Sequence, residues 1–418
     1  MKILILNTSE RIGGAAVAAN RLMHALNKTG YEARMLVRDK QTDDERIVSL
    51  NTTWWHCKIN RFRFIWERLV IFFHNCFTKK NLFAVSIANI GTNISKHPLV
   101  KEADIIHLHW INQGFLSLKN IRQLTKLNKP IVWTMHDMWS CTGICHHARA
   151  CERYSQQCEK CFFLHHPAKK DISTTVFRKK QQLYQQADIS FVTCSDWLNK
   201  RAKKSALLLK KQISTINNPI DTKVFAPFDK IASRKKLGLA TDKKLILFSA
   251  VNLSDSRKGF SYLAEAAQLL DINNVELLLL GNVKTVLPEL PLKINYIAFT
   301  PNEADMAMVY SAVDCYVTPS LEENLPNTIM EAMACGTPCV GFDTGGIPEM
   351  IDHKITGYVA NYQSADDLAA GIRWVLSEAD YAALSAKAGE KARSYYSEWI
   401  IAGEYMELYK KILYKNHL

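Results

Sequence analysis

The chain has 418 residues, 48% of them hydrophobic, and a formal net charge of +13. That length exceeds one ordinary domain and predicts two of about 200 residues each, with enough apolar content for large buried cores. The positive balance predicts an anionic partner: a phosphorylated substrate, an anionic bilayer or nucleic acid.

No zinc-finger spacing with paired histidines, stacking-sheet signature or recognition helix is present, which argues against nucleic acid. No apolar run reaches the roughly 18 to 20 residues of a spanning helix. The start, MKILILNTSE, is a short apolar strand running into a polar turn. It lacks the longer apolar core of a secretory signal, so a cytoplasmic protein is expected. Eleven cysteines, an odd number, argue against a disulfide framework in that setting.

Lys2 to Leu6 forms the first predicted strand and Ala15 to Leu26 the first helix. Between them lies Arg11-Ile12-Gly13-Gly14-Ala15-Ala16. Paired glycines let backbone N–H groups approach a ligand, and the following helix offers its positive end. A tight strand–helix turn alone would also account for Gly13 and Gly14, because the third glycine of a dinucleotide fingerprint is missing. Ala33 to Val37 is a second strand. Residues 54–80 then interleave Lys58, Arg61, Arg63, Arg68, Lys79 and Lys80 with eight large aromatics, Glu67 being the one acid. Such a helix suits a membrane interface. The other reading is a helix packed on its domain with a cationic outer face.

Strands are predicted at Asp104 to His109, Ile131 to Met135 and Ile189 to Thr193. Two of these carry histidine at their ends. His109, with Trp110 and Asn112, is an acceptor-side candidate, and His136 follows the next strand directly. After it come Cys141, Cys145, Cys151, Cys158 and Cys161. Cys158-Glu159-Lys160-Cys161 has metal-knuckle spacing, and Cys145 with Cys151 would complete four thiolates for a structural zinc. Reduced thiols, disulfides or an iron–sulfur cluster are the other readings.

An Asn/Pro/Asp cluster, Ile216-Asn217-Asn218-Pro219-Ile220-Asp221, reads as a linker. It divides the chain into 1–215 and 216–395, with a tail of 396–418. The second half alternates in the same way, with strands at Lys244 to Ala250, Val275 to Leu280, Cys315 to Val317 and Pro338 to Phe342, and a helix at Gly259 to Leu270. Alternation of this kind predicts an α/β chain with two parallel, helix-flanked sheets. Ser256-Arg257-Lys258-Gly259-Phe260 places two cations beside a helix start, an anion site. Trp399 to Leu413 is an amphipathic terminal helix.

Residues 319–340, PSLEENLPNTIMEAMACGTPCV, are the most informative segment. Glu323 and Glu331 bracket the turn Asn324-Leu325-Pro326-Asn327-Thr328, which opens a helix stopped at Gly336-Thr337-Pro338. The helix start favours phosphate, and the two carboxylates can take hydroxyls at either end. A nucleotide sugar has that shape.

This segment closely resembles the carboxyl-terminal signature of the retaining glycosyltransferases of family 4, which have the GT-B fold. The resemblance extends over most of the chain, with the 216–221 cluster similar to the interdomain segment. It implies two doubly wound Rossmann-like domains facing across a cleft, the first on the acceptor side, the second binding the donor, and a terminal helix returning to the first. On that resemblance Glu323 binds hydroxyls of the donor sugar and Glu331 the ribose. Asn324, Leu325, Asn327 and Thr328 belong to the donor site. Lys258 binds the diphosphate, His136 touches the sugar, and Gly13 and Gly14 lie beside the phosphates. The family's arginine six residues before Lys258 is Asn252 here, and Arg257 is the candidate to compensate.

The implied reaction is transfer of a sugar from a nucleotide diphosphate to a glycan or lipid-linked acceptor in surface polysaccharide synthesis. The anomeric configuration is retained without a carboxylate nucleophile, and the donor's own phosphate takes the acceptor proton. Lacking an acidic metal motif, the chain is expected to need no catalytic cofactor. The expected location is the cytoplasm, with peripheral contact on the inner membrane face. A sugar-nucleotide epimerase of the same fold and a non-catalytic nucleotide-sugar scaffold are the competing readings. Donor turnover separates the scaffold from the transferase, and product analysis without acceptor separates the epimerase.

Overall fold

A computed structural model describes residues 1–271, 273–282, 288–298 and 300–415. The chain divides into two compact units, Met1–Asn217 with Ile401–Leu418, and Asn218–Ile400. Residues 416–418, the end of the expected tail, lie outside the described residues.

The N-terminal unit holds a parallel sheet of seven strands: β1 (Lys2–Ser9), β2 (Glu32–Asp39), β3 (Ile47–Ser49), β4 (Ile105–Leu108), β5 (Ile131–Met135), β6 (Ile189–Thr193) and β7 (Ile213–Thr215). Their order is β3-β2-β1-β4-β5-β6-β7. β1 shows why these segments become interior strands. After Lys2 every residue of it is buried, as both faces of a helix-covered parallel sheet require. The two core clusters of the unit separate β1 by alternation: Leu4 and Leu6 enter one, Ile3 and Ile5 the other.

The C-terminal unit repeats the plan with β8 (Lys244–Asn252), β9 (Val275–Asn282), β10 (Lys293–Ile297), β11 (Cys315–Thr318), β12 (Cys339–Phe342) and β13 (Gly357–Ala360), in the order β10-β9-β8-β11-β12-β13. All pairings within both sheets are parallel. Strand order reverses between β1 and β4 in one unit and between β8 and β11 in the other. In such sheets ligands gather beyond the carboxyl ends of the strands at the reversal. The segments leaving those strands are the ones singled out in the sequence: 9–14, 109–112, 252–259 and 319–328.

The four edge strands β3, β7, β10 and β13 escaped prediction. Each has three to five residues at a sheet edge, too few for a period to register. The terminal helix runs Glu398–Lys415. From Ile401 onward it packs into the N-terminal unit, where Ile401, Ala402, Tyr405 and Tyr409 share a core with Ile3, Ile5 and Val132.

The helices α1 (Gly14–Lys28) and α2 (Trp54–His74) differ in a telling way. α1 buries Leu22, Met23 and Leu26. α2 buries Asn60, Glu67, Arg68 and Ile71 while Trp54, Trp55, Phe62, Trp66 and Phe73 are exposed. The outward residues of α2 are chiefly aromatic, with Lys58 and Arg61 exposed among them. Arg63 donates to Asn60 Oδ1 at 2.8 Å, and Arg68 donates to Val85 O at 3.0 Å and pairs with Glu67 at 3.1 Å. Two of the arginines expected at a lipid surface are structural.

Candidate active site

In the C-terminal unit three loops meet at the strand reversal. The loop after β8 forms a short turn, Ser256–Lys258, capped by the Asp255 side chain. The loop after β11 carries Pro319 to Pro326, and the loop after β12 carries Gly345 and Gly346. Leu321 N donates to Arg257 O at 2.7 Å, and Gly346 N donates to Asn324 O at 2.8 Å. Two glycines permit this closeness. Gly259 has φ +71°, and a Cβ there would stand 1.8 Å from Pro319 O. Gly345 has φ +60°, and its Cβ would stand 1.9 Å from Glu323 O. No other residue fits either position.

Within this frame Lys258 forms an ion pair with Glu323. The two residues expected to take diphosphate and sugar are thus neighbours. Glu331 lies on the helix Asn327–Ala334 and is buried. It accepts a hydrogen bond from the Tyr310 hydroxyl at 2.8 Å, which fixes the carboxylate from behind. Pro326 stands at the N-cap of that helix, and no side chain caps it. Asn324 and Leu325 are buried, and Asn327 Oδ1 accepts from Asn218 Nδ2 at 3.0 Å. Thr328 bonds the Tyr316 hydroxyl, whose other partner is Ser249 Oγ at 3.2 Å.

The Arg257 guanidinium is half-exposed and bound to Asp255 at 2.6 Å, which raises its pKa further. Asn252 Oδ1 accepts from Ser254 N at 3.3 Å and shapes the turn. Lys258 is the cation that this frame brings to Glu323.

In the N-terminal unit Gly13 and Gly14 are exposed at the β1–α1 turn. His109 and His136, from the ends of β4 and β5, bond each other, Nδ1 to Nε2, at 2.9 Å. His107 completes a stack, its ring 4.2 Å from that of His109. The terminal helix holds His107 in place. Tyr409 OH lies 2.7 Å from its Nδ1, Thr134 Oγ1 lies 2.8 Å from its Nε2, and Tyr405 OH bonds that same Thr134 oxygen at 2.8 Å. Burial lowers all three imidazoles, His107 to about 3 and His136 to about 4, with the neighbouring imidazole adding to the effect at His107 and the Asp137 charge opposing it at His136. They are neutral at pH 7 and serve as hydrogen-bonding groups, not as fixed charges.

Asp137 follows His136 in the chain and is held by hydrogen bonds of its own. Burial pushes its pKa up, but the charge and hydrogen bond of His146 and the Trp139 N–H outweigh that and bring it to about 2. Its Oδ2 receives Trp110 Nε1 at 2.9 Å and lies 2.7 Å from His146 Nδ1. His109 and Asn112, the acceptor-side candidates, are buried. Among the described residues His109 Nε2 and Asn112 Oδ1 have no hydrogen-bond partner, and both residues line a cavity of about 10 Å³. A single water fits there.

Cys145, Cys158 and Cys161 are buried and Cys151 is half-buried. Burial holds Cys145 at about 11 and Cys158 at about 12, and raises Cys161 further. Cys145, Cys158 and Cys161 belong to the core that contains Trp133 and Phe177. Among the described residues the group whose ligand atoms lie within 4.8 Å of one another is Cys76, His165 and His166. Burial favours the protonated thiol, and the nearby Lys180 ammonium opposes it at Cys145 and Cys158. Tyr310, Tyr405, Tyr409 and Asp137 went unnoticed in the sequence as supports of the site. The dipeptide His136-Asp137 was the one local hint.

Residues 12–224 match the model described as Glycosyltransferase Family 4, and residues 229–395 match Glycosyl transferases group 1. The chain belongs to glycosyltransferase family 4. N-acetyl-alpha-D-glucosaminyl L-malate synthase of Bacillus anthracis is 26% identical over 49% of this chain and 54% of its own. The chain thus spans about half the length of that curated relative. The Escherichia coli K12 protein WcaC, assigned by name to colanic acid biosynthesis as a glycosyl transferase, is 23% identical over 75% of this chain and 77% of its own. The solved structure of Anabaena Alr3699/HepE in complex with UDP-glucose superposes with a TM-score of 0.64 over 98% of this chain and 100% of its own, at 18% identity. At that identity it carries the fold alone, and the fold is GT-B: two Rossmann-like domains.

Proposed function

We propose that this glycosyltransferase moves a sugar from a nucleotide diphosphate to a glycan or lipid-linked acceptor in surface polysaccharide synthesis, with retention at the anomeric carbon. The observation that carries the reading is the Lys258–Glu323 pair, held by Gly259 and Gly345 beside the Asn327–Ala334 helix start. Departure of the sugar builds positive charge on its ring and negative charge on the diphosphate. Lys258 and the helix end stabilise the leaving group. Glu323 takes sugar hydroxyls, and Glu331, braced by Tyr310, takes the ribose. Lys258 and Glu323 neutralise each other until the donor gives each its own partner. Asn324, Leu325, Asn327 and Thr328 form the wall around the donor. His136 contributes a neutral hydrogen bond to the sugar, and Gly13 and Gly14 give backbone N–H groups to phosphate. His109 and Asn112 act from beneath the surface on the acceptor side. The proton of the acceptor hydroxyl passes to the donor phosphate as the new glycosidic bond forms.

The name of the Escherichia coli relative supports the pathway. The acceptor is proposed to lie at the inner face of the cell membrane. No helix among the described residues is long and apolar enough to cross a membrane. α2 instead offers Trp55, Ile59, Phe62, Trp66, Leu69 and Phe73, all exposed, at the i, i+4, i+3 spacing of one helix face. Lys58 and Arg61 on the same helix, and Lys79 and Lys80 beyond its end, are exposed cations. An apolar patch accompanied by cations is matched to anionic lipid.

A panel of nucleotide diphosphate sugars, read by thermal shift, tests the function. True donors raise the melting temperature by mass action. A chain stabilised by no member of the panel would refute the donor site.

A further inference from the structure

Beyond glycosyl transfer, we propose that Cys76, His165 and His166 form a surface site for a borderline divalent transition ion, zinc foremost, which clips the end of α2 to the cysteine-rich loop. The three ligand atoms lie within 4.8 Å of one another, and all three residues are exposed. One thiolate and two imidazoles make a donor set suited to zinc or cobalt, whereas magnesium and calcium take oxygen ligands.

The site is built rather than a chance meeting of surface side chains. Asn75, 2% exposed, stands next to Cys76 at the end of α2. Its Oδ1 accepts the backbone N–H of His165 at 2.6 Å, across 90 residues of sequence. Its Nδ2 donates to Lys80 O at 3.0 Å, so one buried amide fixes both arms. Asn81 Nδ2 adds a second tie between them, to Phe163 O at 3.1 Å. The loop bearing the histidines is held from its far side, where Cys161 N donates to Asp171 Oδ2 at 2.8 Å. Cys76 and Phe77 both have positive φ, 52° and 60°, a conformation that persists in non-glycine residues only when the surroundings impose it.

On binding, the thiol proton leaves to solvent and a sulfur–metal bond forms, while each imidazole donates its bare nitrogen. A fourth position stays open to water. The clip sits where α2 ends, so it fixes the root of the aromatic helix relative to the loop that follows β5. It rests on ligand geometry alone, and neither donor binding nor transfer is needed for it to be correct.

The test uses the full chain without a histidine tag, titrated anaerobically with cobalt chloride and, separately, zinc chloride. The expected result is one equivalent of cobalt with a thiolate-to-cobalt absorption, and loss of that equivalent in Cys76→Ser. Cys76 is exposed, so serine leaves the fold intact. His165→Gln should weaken zinc binding by at least about tenfold. Equal numbers of bound equivalents in wild type and Cys76→Ser, zero included, would overturn the site.

Discussion

The two units use one sheet plan but build their sites in opposite ways. In the C-terminal unit the candidate site is framed by backbone. Residues 255–260, 319–331 and 343–347 supply nearly all of it, and glycines let the loops touch. In the N-terminal unit it is assembled from distance. His107, His109 and His136 lean on Thr134 and on tyrosines from the terminal helix, with Tyr409 lying 302 residues after its partner His107. A site written into one segment survives as a readable motif. A site written as buried contacts between distant segments does not.

The sharpest way to break that contrast is to attack the frame. Gly345→Ala places a Cβ into the Glu323 carbonyl and should abolish donor binding outright, or the fold of the C-terminal unit with it. Melting curves and donor titration together check this, and a variant with near-native donor affinity would refute the backbone-framed site.

Next come the charged contacts. Lys258→Ala should lower turnover by roughly 10- to 100-fold, the worth of about 1.5–3 kcal/mol for a bond to a charged group. Glu331→Ala should weaken nucleotide binding by a similar factor, while Glu323→Ala should act mainly on turnover. Arg257→Ala should cost far less than Lys258→Ala, because Asp255 already holds that guanidinium. Steady-state kinetics on the four variants decide the order, and a larger loss at Arg257 would reverse the roles.

The N-terminal site should respond to pH instead. His107 and His136 have folded-state pKa values lowered to about 3 and about 4. Between these values and their ordinary 6.5 the unfolded chain binds protons that the folded chain refuses. Stability is therefore complete above about pH 6.5 and falls as pH drops toward 4. Asp137, lowered to about 2, adds a further loss below its ordinary 3.8. Denaturant midpoints measured from pH 7 to 4 should show the decline, and His107→Asn should flatten it. A flat profile for the wild type would contradict the neutral stack.

A smaller effect is expected at Tyr409→Phe. Losing one buried hydrogen bond costs about 1 kcal/mol or somewhat more. It should lower the melting temperature by a few degrees and shift the pH profile, with nucleotide affinity unchanged. Altered nucleotide affinity would tie the tail directly to the donor site.

What the sequence disclosed follows the same divide. Ile131–Met135 and Ile189–Thr193 appear in the structure with their predicted bounds, because fully buried strands are continuous apolar runs ended by polar turns. The Glu323–Glu331 segment was legible since its parts are neighbours in the chain. The pairing of Lys258 with Glu323 and of Tyr310 with Glu331 was not, because pairs between separate loops leave no local pattern. α2 exposed the limit most clearly. Its composition announced aromatics and cations, but Asn60, Glu67 and Arg68 inside and Trp55 and Phe62 outside follow only from what the neighbouring loops offer as partners. Vesicle binding by Trp55→Ser/Phe62→Ser should fall at least about tenfold relative to wild type, more than for Arg63→Gln, if the outward face meets lipid.

The most direct measurement is transfer itself. The purified chain is incubated with a labelled nucleotide diphosphate sugar and acceptor-bearing membranes, and label is followed into glycan or lipid. Label should enter the acceptor with the donor's anomeric configuration kept, and should fall by roughly 10- to 100-fold in Lys258→Ala. Binding of the donor without turnover would make the chain a scaffold. A changed sugar on the free nucleotide, with no label transferred, would make it an epimerase and contradict the account.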